Sequence, residues 1–250
     1  MAGRLYIDLG NSRIKWMHDQ GGISTVSALE YSADLLYQQL TEAWDDIVQP
    51  ESVWLASVAR CEVYDNLLHW LADHWKIIPS VMTVASEACG LRCGYRQPRQ
   101  LGVDRWAALI AAHAIYPDGV CVVDCGTAIT VDAVDAHGQH LGGFILPGIS
   151  AMQRTLLQET AIELKATAVD AGLEWGNSTI SGIELGTRKA VVALVEQTIE
   201  RMQAGGICDP GLILTGGKAA SIEPLMEIEY QRRDTLVLEG IKLYSGEKSK

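Results

Sequence analysis

Two short stretches of this chain set an aspartate, a glycine and a small polar residue at the end of an apolar, strand-like run. The first is Leu5-Tyr6-Ile7-Asp8-Leu9-Gly10-Asn11-Ser12, and the second is Val120-Cys121-Val122-Val123-Asp124-Cys125-Gly126-Thr127. Such a turn points backbone N–H groups and a hydroxyl at a phosphate, and the carboxylate beside it serves a cation. One Asp-x-Gly is ordinary turn chemistry. Two copies, each heading one half of the chain, indicate a duplication, and a pair of such turns can grip one nucleotide from both sides. Lys15, on the strand after the first turn, would neutralise phosphate charge; alone, a strand lysine is solvated edge decoration.

Two further stretches carry chemistry. Gly102-Val103-Asp104-Arg105 sets a carboxylate and a guanidinium at a helix N-terminus, an end that favours anions. Arg105 can fork onto a substrate carboxylate, and Asp104 can take a proton from a hydroxyl. The bland reading is an N-cap aspartate with a surface arginine. Leu212 to Gly217 ends a strand at Gly216-Gly217, where backbone can approach an adenine or ribose closely; the bland reading is a plain strand-to-helix turn. Gly217 and Ala219 break the phosphate-loop signature after Gly211-x4-Gly216, and no G-x-G-x-x-G follows a strand. No nucleophile elbow is present. His113 reads as a core histidine, and Trp70, Trp75, Trp106 and Trp175 as core or interface.

The elements around these residues follow from pattern. Residues 4–28 read as a three-strand meander turning at Gly21-Gly22, and 120–146 repeat it with a turn at His137-Gly138. Between them lie a helix over 35–47, a strand over 53–58, a helix over 66–75 and a strand over 81–84, a succession that indicates an α/β layer with parallel pairing. Residues 86–103 are irregular, and long connections of this kind are often functional. A helix follows over 106–115, ended by Tyr116-Pro117-Asp118-Gly119. The halves are thus 1–117 and 118–250. In the second, helices are expected from Ser150 to about Ala161, from a cap at Asn177-Ser178-Thr179 to about Gln203 with Gly205-Gly206 ending it, and from the Gly216-Gly217 turn to about Met226. Residues 165–176 read as a loop, and the tail as a short apolar run, Leu236-Val237-Leu238.

The chain has 250 residues, is 48% hydrophobic and 20% charged, and carries a formal net charge of −11. This suits a globular protein with a substantial core and argues against non-specific binding to nucleic acid or an anionic membrane. No apolar stretch reaches the roughly 18 residues needed to span a bilayer, and no secretory signal is evident, so a cytoplasmic protein is expected. The six cysteines lack zinc-site spacing and read as buried free thiols, with Cys121 and Cys125 on one strand face.

In combination these residues resemble the type III pantothenate kinases of the acetate-and-sugar-kinase and actin-like ATPase superfamily. Asp8-Leu9-Gly10-Asn11-Ser12-Arg13-Ile14-Lys15 resembles the family's first phosphate motif. Tyr95, Pro98 and Leu101-Gly102-Val103-Asp104-Arg105 resemble its acceptor-binding and catalytic segment, and Asp124-Cys125-Gly126-Thr127-Ala128 its second phosphate motif. Gly142-Gly143-Phe144-Ile145-Leu146-Pro147-Gly148 and Gly176-Asn177-Ser178-Thr179 follow in family order. The resemblance implies a duplicated α/β fold of the actin-like ATPase (ribonuclease H-like) kind, two similar halves each with a mixed sheet flanked by helices. It also implies an ATP-dependent kinase that phosphorylates the primary hydroxyl of pantothenate to 4'-phosphopantothenate, the first step of coenzyme A biosynthesis.

The resemblance further implies Asp104 as general base, Asp124 as holder of a monovalent cation (potassium or ammonium) and Thr127 as an ATP contact. It implies Tyr95, Gly102, Val103, Arg105 and Thr179 around pantothenate, at a homodimer interface. Gly10, Asn11, Ser12, Lys15, Gly126, Gly216 and Gly217 complete the ATP and phosphate set. Asp8 is the carboxylate for Mg²⁺, through water, because magnesium keeps several waters. The chain departs from the family pattern at Lys218, where an acidic residue is common. Two alternatives stand beside this reading: a kinase of the same fold with another acceptor, such as a sugar, and a nucleotide-binding transcriptional accessory protein without turnover. The acidic charge weakens direct DNA binding, and retention of Asp8 and Asp104 weakens loss of catalysis.

Overall fold

The computed structural model describes residues 3–59, 61–159 and 174–248. The chain opens with three antiparallel strands, β1 (Arg4–Leu9), β2 (Arg13–Gln20) and β3 (Ile23–Glu30). Then come α1 (Leu36–Ala43), β4 (Ser52–Ser57), α2 (Cys61–Trp70) and β5 (Ser80–Val81). Strands β4 and β5 join parallel to β1, giving the order β3-β2-β1-β4-β5. A small hairpin, β6 (Glu87–Ala88) and β7 (Leu91–Arg92), precedes α3 (Val103–Ile115).

The second sheet repeats this plan. Strands β8 (Gly119–Cys125), β9 (Ala128–Asp135) and β10 (His140–Pro147) form the antiparallel meander. After α4 (Ile149–Glu159) and α5 (Thr179–Ala204), β11 (Gly211–Thr215) and β12 (Gln231–Arg232) pair parallel to β8. The order is β10-β9-β8-β11-β12, the same as in the first sheet. The duplication read from the two Asp-x-Gly stretches is thus a duplication of a whole mixed sheet. The chain ends in α6 (Leu236–Lys248).

Alternation along the strands decides which face meets which helices. In the first unit Leu5, Ile7 and Leu9 of β1 pack with Leu36, Leu40, Val63 and Leu67 of α1 and α2. Trp44 is central there: it stacks on Trp75 at 5.2 Å and meets Trp70 and Trp16 edge-on at 4.9 and 5.6 Å. Helices α3 and α6 pack against β1 and β4 as well, and Tyr244 of α6 meets the Trp54 ring of β4 edge-on. In the second unit Cys121, Val123 and Cys125 of β8 share a core with Val191, Val195 and Ile199 of α5.

Several elements differ from their sequence reading, each for a local reason. The tail is a helix, and by its contacts it belongs to the first unit, residues 1–115 with 235–250; the second unit is 116–234. The division at 117/118 therefore does not hold for the tail. Leu236, Leu238 and Ile241 are fully buried and Val237 and Tyr244 nearly so. Such a helix is apolar on most sides and shows no amphipathic period. After β11 the chain makes two 3₁₀ turns, Ala219–Ser221 and Glu223–Leu225, in place of a helix, since Pro224 cannot supply an interior N–H. The helix expected over 66–75 starts at Cys61 and ends in a π turn over Leu71–Trp75. Strand β5 has two residues, and the 35–47 helix shortens to α1. Ser178 caps α5 and Gly205 ends it, as read. The loop expected over 165–176 lies mostly outside the described residues, as does the end of the helix after Ser150. Only Cys121 and Cys125 are buried thiols; Cys61 and Cys208 are exposed. Trp175 is 80% exposed, and His113 is half-buried.

Helix α6 sits so close to α3 that a Cβ on Gly240 would overlap the Ala107 carbonyl. Gly240→Ala must push the helices apart. A loss of about 1–3 kcal/mol of stability is expected, the usual cost of overpacking, read as a lower midpoint in urea unfolding.

Candidate functional site

In the first unit Asp8 is the penultimate residue of β1, half-buried. Its register partners are Lys15 on β2 and Ala56 on β4. Directly opposed residues of an antiparallel pair share a face, so Asp8 and Lys15 project to one side. The Leu9 carbonyl accepts from Val58 N–H at 3.1 Å, and Gly10 N–H donates to the Arg13 carbonyl at 3.0 Å. The Tyr31 hydroxyl, just beyond β3, donates to the Gly10 carbonyl. Asn11 and Ser12 stand exposed at the tip.

The same unit carries the start of α3. A 3₁₀ turn over Pro98–Gln100 leads to Leu101, which is buried. The Gly102 carbonyl accepts from Trp106 N–H at 3.0 Å, so Gly102 holds the cap position and Val103 is the first helical residue. Asp104 is therefore the second helical residue, two positions past the cap, and not the N-cap of the bland reading. Its Oδ1 accepts from Arg105 N–H at 2.8 Å and occupies the place a Cβ on Gly102 would take. Arg105 is 8% exposed. Its Nη1 donates to the Tyr95 hydroxyl at 3.0 Å, and the guanidinium lies 5.6 Å from the Tyr95 ring centre. A hollow of about 550 Å³ opens here, lined by Ser57, Val58, Met82, Leu101, Gly102 and Val103 among others. Ser57, Val58 and Met82 carried no sequence signal, being apolar or small residues near the end of an ordinary strand.

In the second unit Asp124 is the penultimate residue of β8, half-buried, with Thr130 and Thr215 as register partners. The Cys125 carbonyl accepts from Lys218 N–H at 2.9 Å, and Gly126 N–H donates to the Ala128 carbonyl at 3.0 Å. This turn is one residue shorter than the first, so a threonine holds the place taken by Lys15. The Thr127 carbonyl accepts from Gly148 N–H at 3.0 Å, fixing the corner between β10 and α4. Gly216 has φ of +89° and rests against the Asp124 carboxylate, leaving no room for a Cβ. The Gly216 carbonyl accepts from Arg232 Nη2 at 3.0 Å. Burial and, after it, the nearby Asp124 charge push the Cys125 thiol up to about 12. That thiol is a packed core group with no nucleophilic character at neutral pH.

Each unit thus gathers its own sequence-read residues. Asp8, Gly10, Asn11, Ser12 and Lys15 meet at one turn, and Tyr95, Gly102, Val103, Asp104 and Arg105 at the start of α3. Asp124, Gly126, Thr127, Gly216 and Gly217 meet where β8 and β11 end. Thr179 lies on a different element, exposed as the first residue of α5. Among the described residues no three His, Cys, Asp or Glu side chains cluster to hold a metal. A single carboxylate at each turn fits a hard cation that takes its remaining oxygens from phosphate and water. No helix among the described residues is long and apolar enough to cross a membrane.

Comparison with known proteins agrees with this geometry. A solved protein from Campylobacter jejuni, assigned to the Baf family of transcriptional activators, superposes with a TM-score of 0.62 at 22% identity over 98% of both chains. MreB 5 of Spiroplasma citri, solved with AMPPNP, superposes with a TM-score of 0.53 at 11% identity over 100% of this chain and 97% of that one. These likenesses show the fold, the actin-like ATPase fold in its duplicated α/β form. The sequence comparisons go further. A type III pantothenate kinase from Nitrosococcus oceani is 34% identical over 98% of this chain and 95% of its own length. The family model of type III pantothenate kinase matches residues 4–201, and the chain belongs to that family.

Proposed function

We propose that the protein transfers the γ-phosphoryl group of ATP to the primary hydroxyl of pantothenate, giving 4'-phosphopantothenate. The observation that carries this reading is the first turn of α3, where Asp104 and Arg105 sit beside an acceptor-sized hollow in the unit that also bears the Asp8 turn. Phosphoryl transfer is mostly positioning and charge neutralisation, so glycine turns, single carboxylates and one base suffice. Asp104 accepts the hydroxyl proton. Its bond from Arg105 N–H at the helix N-terminus keeps the carboxylate aimed. Arg105, held by Tyr95, pairs with the pantothenate carboxylate, and Gly102, Val103 and Thr179 contribute to the same pocket.

On the nucleotide side Gly10, Asn11, Ser12 and Lys15 take phosphate oxygens from one turn, and Gly126 and Thr127 from the other. Gly216 and Gly217 let backbone approach the nucleoside. Asp8 orients Mg²⁺ through water, and Asp124 holds a monovalent cation; bound there, these ions neutralise phosphate charge. The register difference supports this division. Asp8 faces Lys15 across the ladder whereas Asp124 faces the neutral Thr130, so the second turn has no lysine at the matching register position and a solution cation can serve there. Potassium or ammonium should therefore raise turnover several-fold over sodium, and Asp124→Ala should abolish that response. Full rate in sodium buffer would refute the cation assignment.

Asp104→Asn keeps the shape but not the base. It should fold and bind ATP as wild type does, with turnover lowered by roughly 10²–10⁴, the usual contribution of a positioned base. Arg105→Ala should weaken pantothenate more than ATP. Steady-state kinetics with melting curves separate these outcomes, and near-normal turnover in Asp104→Asn would sink the catalytic role.

A homodimer completes the proposal. Thr179 is exposed, and the second unit also exposes Phe144, Ile145 and Trp175 at 44%, 63% and 80%, apolar side chains that an interface would cover. Sedimentation equilibrium should return twice the chain mass at assay concentration. A fully active monomer would exclude it.

A further inference from the structure

We propose that Tyr31 and Arg232 are positioning residues that aim the peptide N–H groups of Asn11 and Gly217 at bound nucleotide. A trans peptide is planar, with its C=O and N–H pointing opposite ways. Fixing the carbonyl of one residue therefore fixes the N–H of the next. The Gly10 carbonyl is held by the Tyr31 hydroxyl, so the Asn11 N–H is directed away from Tyr31. The Gly216 carbonyl is held by Arg232 at 3.0 Å and, more loosely, by Ala219 N–H at 3.2 Å, so the Gly217 N–H is directed away from Arg232. Both receiving residues are exposed.

The anchors are needed because glycine does not hold a peptide plane by itself. Without Tyr31 the Gly10–Asn11 plane can rotate, and without Arg232 the Gly216–Gly217 plane is left to the longer Ala219 bond alone. An anion site then loses a donor to rotation, or presents a carbonyl oxygen in its place. Both anchors are themselves secured. Tyr31 is half-buried, and burial pushes its phenol above the ordinary range, so it remains a donor. Arg232 is fixed by Glu223 at 2.6 Å and by Asp234, with Nε to Asp234 Oδ1 at 2.7 Å. Its third contact is the one to the glycine. One side chain comes from beyond an antiparallel edge strand and the other from a parallel edge strand, so the two units solve one stereochemical problem with unrelated residues.

This inference rests on the nucleotide-binding reading of both turns, and the test separates the two. ATP–Mg affinity is measured by calorimetry without acceptor for wild type, Tyr31→Phe, Arg232→Gln and, as a control, Tyr37→Phe, whose hydroxyl bonds Asp73 at an exposed site. Tyr31→Phe and Arg232→Gln should each weaken ATP about three- to tenfold, the worth of one hydrogen bond to a fixed carbonyl. The Michaelis constant for pantothenate at saturating ATP should stay within twofold, and Tyr37→Phe should match wild type. Unchanged ATP affinity in Tyr31→Phe, or equal weakening of both substrates, would overturn the proposal. Wild type that binds ATP but leaves pantothenate unphosphorylated would defeat the acceptor assignment and leave the anchors standing. Wild type that fails to bind ATP would overturn both.

Discussion

The peptide entering the glycine of each Asp-x-Gly stretch is the constraint on which the two turns depend. Leu9 and Cys125 each pass their carbonyl sideways to the parallel neighbour, to Val58 N–H and Lys218 N–H. The opposite edge of the same peptide, the N–H of Gly10 or Gly126, is thereby turned into its own hairpin and bonds Arg13 or Ala128. A central strand thus joins its antiparallel partner on one side and its parallel partner on the other, through a single plane. The aspartate side chain, one residue before the strand residue that gives this carbonyl, has no freedom to choose a face. It emerges on the side opposite the apolar residues that meet α1 and α2 in one unit and α5 in the other.

From this follows the economy of the glycines. Where the parallel strand ends beside the aspartate, the chain must turn without occupying the carboxylate's space, and Gly216 does so with a positive φ and no Cβ. Gly102 plays the related part for Asp104, at a helix start instead of a strand end. In both places the carboxylate is positioned by what the neighbouring residue lacks. Catalysis of phosphoryl transfer asks for little beyond such placement, so backbone geometry carries much of the design and the side chains with charge are few.

What could be read from the sequence was whatever repeats or alternates. Two apolar runs ending in Asp-x-Gly gave the paired meanders, and Ser178 with Gly205-Gly206 gave α5. Asp104 and Arg105 announced themselves by type at a helix start. Tyr31 and Arg232 did not, because each acts on a backbone carbonyl 21 or 16 residues away, and a side chain bonding distant backbone leaves no local spacing. The 3₁₀ turns after β11 were legible in hindsight through Pro224, but the glycine turn before them favoured a helix start. Helix α6 was hidden by its own burial. Its apolar residues cover most of its circumference, and Gly240 lowers its helix propensity.

That helix also determines how the first unit is completed. Its partners are α3, β1 and β4, so residues after 235 close a unit whose other members end at 115. The intervening unit, 116–234, is continuous and draws its sheet from residues no farther apart than β8 and β12. Contacts between α3 and α6 span the whole of it, and loop closure over such a length is costly until the intervening chain is compact. The second unit can therefore gather its own sheet first, and the first gains its final layer only when α6 is available. The residues at stake are those on the Asp8 face of β1 and those beside Ala107 on α3, the helix whose first turn holds Asp104 and Arg105. The placement of Asp104 thus depends on the last element of the fold as directly as on the turn in which it lies.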